Sequence, residues 1–133
     1  MSREIKFDAI YKPTGEHFTP HEINFNDNTV VGNFDGVTGD WCHFSLDGKR
    51  GDAILRQYTG LKDKNGVEIY EGDIVKISNH PFERSINIDG NYEVGYNDQM
   101  ELCCGSWLLF RMKYYSEIIG NIYQNPELLE RGE

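Results

Sequence analysis

Apolar and polar residues alternate with a period of two along most of this chain. Ile5, Phe7, Ala9 and Tyr11 alternate with Glu4, Lys6, Asp8 and Ile10, close to the spacing of a half-buried strand. Lys12-Pro13-Thr14-Gly15 then reads as a turn, because Pro presets φ and Gly accepts a positive one. A short strand over Glu16–Phe18 is expected to break at Pro20. Ile23 and Phe25 alternate up to the polar turn Asn26-Asp27-Asn28, and Thr29–Phe34 is β-branched and aromatic. After a loop over Asp35–Asp40, Trp41–Leu46 places Cys42, Phe44 and Leu46 on one face. The polar stretch Asp47–Asp52 is the best candidate boundary. It separates an N-terminal β region, residues 1–52, from a core, residues 53–133, unless the two form one continuous domain.

The pattern is strongest over Tyr58–Ser78. Asp63-Lys64-Asn65-Gly66 predicts a hairpin turn of type I′, in which Asn-Gly takes the two positive φ angles. Val67, Ile69, Val75 and Ile77 share one parity and one predicted face. Glu71-Gly72-Asp73 interrupts that strand and predicts a bend of the kind by which a strand changes sheets. Asp73 is placed to accept from a loop amide. Asn79–Asn91 reads as an irregular segment, with Ser85–Ile88 as a short strand. Tyr92, Val94 and Tyr96 then alternate, Met100, Leu102 and Cys104 mark another strand, and the apolar run Trp107–Met112 predicts a central strand. The helix signal is Asn125-Pro126-Glu127, with Asn125 as N-cap and Pro126 at the first helical position. The predicted class is all-β with one short C-terminal helical turn. Its C-terminal half is expected to form a small SH3-like, partly open β-barrel.

Composition adds limits to this picture. The aromatic fraction is 13% against 38% hydrophobic residues, which suits a thin β core filled by large side chains. Thirteen basic and 22 acidic residues give a net charge of −9, with an acidic excess in both halves. A nucleic-acid binder draws affinity from a basic patch, so the bulk charge places a protein ahead of nucleic acid as partner. No apolar run is long enough to span a membrane, and the N-terminus is charged where a signal peptide is apolar. Three Cys without repeated spacing argue against a disulfide framework. A cytoplasmic protein is expected.

Candidate chemistry is sparse. His17 and His21 have a helical metal-ligand spacing, but Pro20 lies between them and their flanks read as strand or loop. Cys103 and Cys104 are adjacent and would point to opposite faces of a strand; they and Cys42 read as small core residues or thiols. Cys42-His43 as nucleophile and base is weaker still. Glu68, Glu71 and Asp73 gather three carboxylates around Gly72, where turn capping outweighs a metal or acid–base role. Gly60, Gly66 and Gly72 lack the Lys-Ser/Thr of a phosphate loop. No cofactor is expected. Tyrosines cluster in the second half, at positions 58, 70, 92, 96, 114, 115 and 123, with Lys76, Arg111 and Lys113 nearby. Packing is their leading role. The best candidate binding surface is Tyr70, Tyr92, Tyr96, Trp107 and Arg111.

Gln57–Ile77 (QYTGLKDKNGVEIYEGDIVKI) and Glu117–Leu129 (EIIGNIYQNPELL), with the opening Arg3–Tyr11, resemble the YopX-like proteins of phages and prophages. The resemblance implies a largely β fold with a barrel-like C-terminal part, a tendency to oligomerise, and no established activity, catalytic residue or cofactor. It also ties the Tyr58–Ser78 stretch to pairing partners near the C-terminus. The expected function is that of a non-enzymatic phage or prophage accessory protein, binding a macromolecule or assembling with itself. The alternatives are a nucleic-acid-associated protein using its aromatic surface, or an acidic nucleic-acid mimic that occupies a host DNA-binding protein.

Overall fold

The computed structural model describes residues 4–33, 42–46, 53–81 and 88–130. The chain divides into two compact units, Ile5–Gln57 and the part from Tyr58 onward. The all-β class holds: eleven strands and only single turns of helix are found among the described residues. No helix among them is long and apolar enough to cross a membrane. The expected loop at 35–40, the polar stretch 47–52 and, apart from Ile88, the expected strand at 85–88 lie outside the described residues; Ile88 is not in a strand.

The first unit is an antiparallel sheet. Strand β1 (Phe7–Tyr11) lies between β2 (Glu16–Asn24) and the first half of β5 (Ala53–Lys62), so that Ala9 faces Phe18 on one side and Leu55 on the other. Strands β3 (Thr29–Asn33) and β4 (Cys42–Ser45) continue outward, giving the order β4-β3-β2-β1-β5. Pro20 does not end its strand. The register shifts between Pro20 and Glu22, and this irregularity absorbs the missing N–H, as bulges do for proline in sheets. The core is Ala9, Phe18, Val30, Phe44 and Ala53. The Phe18 and Phe44 rings sit 4.7 Å apart, within the range that adds about 1 kcal/mol beyond area burial. Gly32 lies against this pair: a Cβ there would meet Thr19 O at 2.3 Å and the Phe18 ring at 2.8 Å.

The second unit begins with the rest of β5, which pairs with β6 (Glu68–Tyr70). The turn between them departs from type I′. Asn65 does not have positive φ, whereas Gly66 does, at +81°. Gly66 N–H donates to Asp63 O and Asp63 N–H to Val67 O, the pattern of a type I turn closed by a left-handed Gly. Val67 is exposed in this turn and leaves the face that Ile69, Val75 and Ile77 share in the core. After β6 the chain passes through Glu71-Gly72 into β7 (Asp73–Ile77) and changes sheets. Gly72 has φ +86° there. Its N–H donates to Val94 O and its carbonyl accepts from Ile122 N–H.

Strand β7 is central to the second sheet, between β8 (Gly90–Tyr96) and β11 (Ser116–Asn121); β9 (Leu102–Cys104) and β10 (Trp107–Leu108) follow on the far side of β8. The β7–β11 ladder pairs Ile77 with Ser116 and Asp73 with Asn121, the C-terminal pairing that the resemblance implies. The order β10-β9-β8-β7-β11 is open: no closing strand pair joins its ends among the described residues. The barrel is therefore not closed.

The apolar run Trp107–Met112 is not a central strand. Only Trp107 and Leu108 are extended; α1 (Leu109–Met112) is a single helical turn, followed by a 3₁₀ turn over Lys113–Tyr115. Leu109 and Met112 are buried three positions apart, and Phe110 between them is exposed. That spacing is helical, and a six-residue stretch with five apolar residues is too short for periodicity to separate it from a buried strand. The second helical turn, α2 (Glu127–Glu130), follows the Asn-Pro signal, but it starts one residue after Pro126, and Asn125 Oδ1 accepts from Asn121 N–H and not from the helix.

Candidate functional site

The two buried aspartates of Tyr58–Ile77 are spent on the fold. Asp63 is buried, and its Oδ1 accepts from the N–H groups of Asn65 (2.9 Å) and Val67 (3.0 Å), while Oδ2 accepts from Ile118 N–H at 3.0 Å. One carboxylate thus ties the hairpin turn to β11. Asp73 Oδ2 accepts from Tyr70 N–H at 2.8 Å across the Gly72 bend. Both carboxylates satisfy backbone donors that would be costly to bury unpaired.

The five candidate surface residues do not form one surface. Tyr70 packs its ring against Tyr58 at 5.6 Å and donates its hydroxyl to Glu68 at 3.3 Å. Tyr92 lies over Gly105, where a Cβ would come within 2.4 Å of its ring, and its hydroxyl donates to Ile88 O. Tyr96 is half exposed beside Asn97 and Cys103 in a separate, smaller groove. Trp107 and Arg111 are the two that come together.

They line a cavity of about 780 Å³ with His80, Phe110, Lys113, Tyr114 and Tyr115. The α1 turn creates it by sending Leu109 and Met112 inward and Phe110 and Arg111 outward. Phe110 is 54% exposed and Tyr114 70%, four residues apart along the helical and 3₁₀ turns. Arg111 lies over the Phe110 ring, 5.3 Å from its centroid, and Lys113 over the Tyr114 ring at 5.1 Å, distances that suit cation–π attraction. His80 is buried against Tyr115, with ring centroids 4.7 Å apart. The described lining contains no carboxylate. In a chain of charge −9 this is a local reversal of sign. Sequence reading singled out Trp107, Arg111, Lys113 and the tyrosines, but not Phe110 or His80. The signal for Phe110 is the helical spacing of Leu109 and Met112 around it.

Other groups able to carry chemistry have structural surroundings. Asp8 Oδ2 accepts from Arg56 Nη2 at 2.7 Å and Nε at 3.2 Å, and His17 Nδ1 lies 2.9 Å from the same oxygen. His17 is thus joined to Asp8, and His21 is exposed on the far side of Pro20. Cys103 and Cys104 are both buried free thiols. Burial, and then the neighbouring Cys103, push the Cys104 thiol up to about 12, which removes it as a nucleophile. Among the described residues no group of three or more His, Cys, Asp or Glu is placed to hold a metal ion.

At the C-terminus Asn125 Oδ1 accepts from Asn121 N–H at 3.3 Å, and Pro126 O accepts from Leu129 N–H. Gly120 makes room for this: a Cβ there would meet Asn125 Oδ1 at 2.5 Å.

The family model for YopX protein matches residues 6–130. No curated protein matches the chain. Among solved structures the chain is similar to the crystal structure of protein EF1440 from Enterococcus faecalis, at 27% identity and a TM-score of 0.65. The match covers 96% of this chain and 99% of that one.

Proposed function

The chain belongs to the YopX family, and from that premise we propose that it is a non-enzymatic binding module whose site is the cavity around Trp107, Phe110 and Arg111. The observation that carries this reading is the cavity itself, with aromatic walls, two cations and no carboxylate among its described lining residues. Apolar walls with a few convergent polar groups are the usual form of a ligand site. The occupant is an aromatic group bearing negative charge: the rings supply stacking area, and Arg111 and Lys113 supply the countercharge. A phage or prophage accessory role in the bacterial cytoplasm, and self-association, belong to the same proposal. The mimic alternative draws no support from this face, whose sign is opposite.

The test is a titration with anilinonaphthalene sulfonate, an anionic aromatic dye. The expected result is an enhanced emission that weakens about tenfold in Phe110→Ala and in Arg111→Glu. Their thermal midpoints should stay near that of the unsubstituted chain. No enhancement, or equal enhancement in both variants, overturns the reading.

A further inference from the structure

A second cavity, of about 410 Å³, adjoins the first. It is lined by Tyr58, Gly60, Leu61, Lys62, Asp63, Lys64 and Gly66, and it shares Lys113 and Tyr114 with its neighbour. Tyr114 and Lys113 are therefore the ridge between two halves of one groove. Its cations are Arg111 and Lys113 in the first half and Lys62, Lys64 and Lys113 in the second, which gathers four of the chain's 13 Lys and Arg. Among the described residues none of these four is in an ion pair. Glu68 is opposite Lys62 in the β5–β6 register, and its carboxylate accepts from the Tyr70 hydroxyl. The single acid of the described lining, Asp63, has both oxygens occupied by backbone N–H groups.

We infer that this groove binds single-stranded nucleic acid, with bases stacked on Phe110 and Tyr114 and phosphates running past Arg111, Lys113, Lys62 and Lys64. The inference rests on the cavity being a binding site and names its occupant. Each nucleotide presents one π-face and one negative charge, and the groove repeats that pairing: a ring with a cation over it at Phe110–Arg111 and again at Tyr114–Lys113. Stacking platforms in a positive groove are how strands are held without base-specific hydrogen bonds. An acidic peptide would match the charges without supplying a ring at each step. The −9 charge of the whole chain opposes binding at long range, so affinity falls on the local groove and is visible at low salt.

Fluorescence anisotropy of labelled oligo-dT and oligo-rU of about 12 nucleotides, titrated with the full chain at about 20 mM salt, tests this. Binding is expected to weaken as salt rises, with a log–log slope near −3 if the four cations each meet a phosphate. Tyr114→Ala should weaken binding about tenfold. The pair Lys62→Glu with Lys64→Glu should flatten the slope by about 1.4. Dye binding without oligonucleotide binding overturns the nucleic-acid inference and spares the cavity; loss of both overturns the two together. Oligonucleotide binding that ignores both variants places the strand elsewhere and overturns the site. An acidic Tyr-containing peptide that binds the groove more tightly than either oligonucleotide makes the occupant a protein and overturns the inference as well.

Discussion

In Tyr58–Ile77 the carboxylates turn inward, and in Trp107–Tyr115 the charged and aromatic groups turn outward. The first stretch puts Asp63 and Asp73 onto backbone N–H groups and buries Ile69, Val75 and Ile77 beneath them. The second leaves Phe110 and Tyr114 in solvent with a cation over each ring. Both carry rings and charges, yet the buried aspartates of the first are saturated while the rings of the second stay open. A polar side chain saturated by its own backbone defines shape, and one left unsaturated at a concave surface defines what the shape can hold.

This contrast can be broken by substitution. The largest effect is expected at Asp63. Asp63→Ala strands three backbone donors and should cost about 3 kcal/mol in urea unfolding. Asp63→Asn should cost about 2, since its amide must face one donor with another. A midpoint unchanged in both would mean the carboxylate is not an anchor. Gly72→Ala comes next, at about 2 kcal/mol, because φ is +86° and the new Cβ would lie 3.0 Å from the Tyr123 ring.

Cys104 should produce a smaller, pH-dependent effect. Its folded value is raised to about 12 from about 9, so the unfolded chain loses the proton first. Stability is intact below pH 9 and declines between 9 and 12, by up to about 1.4 kcal/mol per pH unit. Cys104→Ala should flatten that slope in denaturation curves at pH 8 and pH 10; an equal slope in the variant would assign the effect elsewhere. Phe110→Ala and Tyr114→Ala stand at the other end, with stability changes under about 0.5 kcal/mol and a clear loss of ligand binding. Large destabilisation by either would erase the contrast, because it would make the rings part of the core.

The scaffold was more legible than the site, for physical reasons. Alternation located β1, β7 and β8, although Ala9 and Ile10 in β1 and Ile74 and Val75 in β7 are buried on both faces, and the Gly-Asp interruption at 72–73 reports a bend because few residues accept its φ. Turn type was harder: Asn65-Gly66 suits type I′, but the Asp63 carboxylate captures Asn65 and Val67 N–H and holds a type I turn. Pro20 signalled a break, yet a register shift costs less than ending a nine-residue strand. Trp107–Met112 misled for a different reason. Its hydrophobicity comes partly from Phe110, which faces solvent, so the run looks like a core strand because it carries an exposed ring. The feature that hid the helical turn is the one that makes the cavity.

Strand β5 offers a last consequence. The division between the two units falls within it, between Gln57 and Tyr58, and its ladder serves β1 before that point and β6 after it. The rungs to β1 all lie in Ala53–Gln57 and those to β6 all lie from Tyr58 onward, so no rung of either ladder straddles that point. Backbone ladders are indifferent to side chains, so a crossover placed inside β5 keeps every rung while exchanging the whole of one unit for a relative's. The strand that joins the two units is also the natural seam for recombining them.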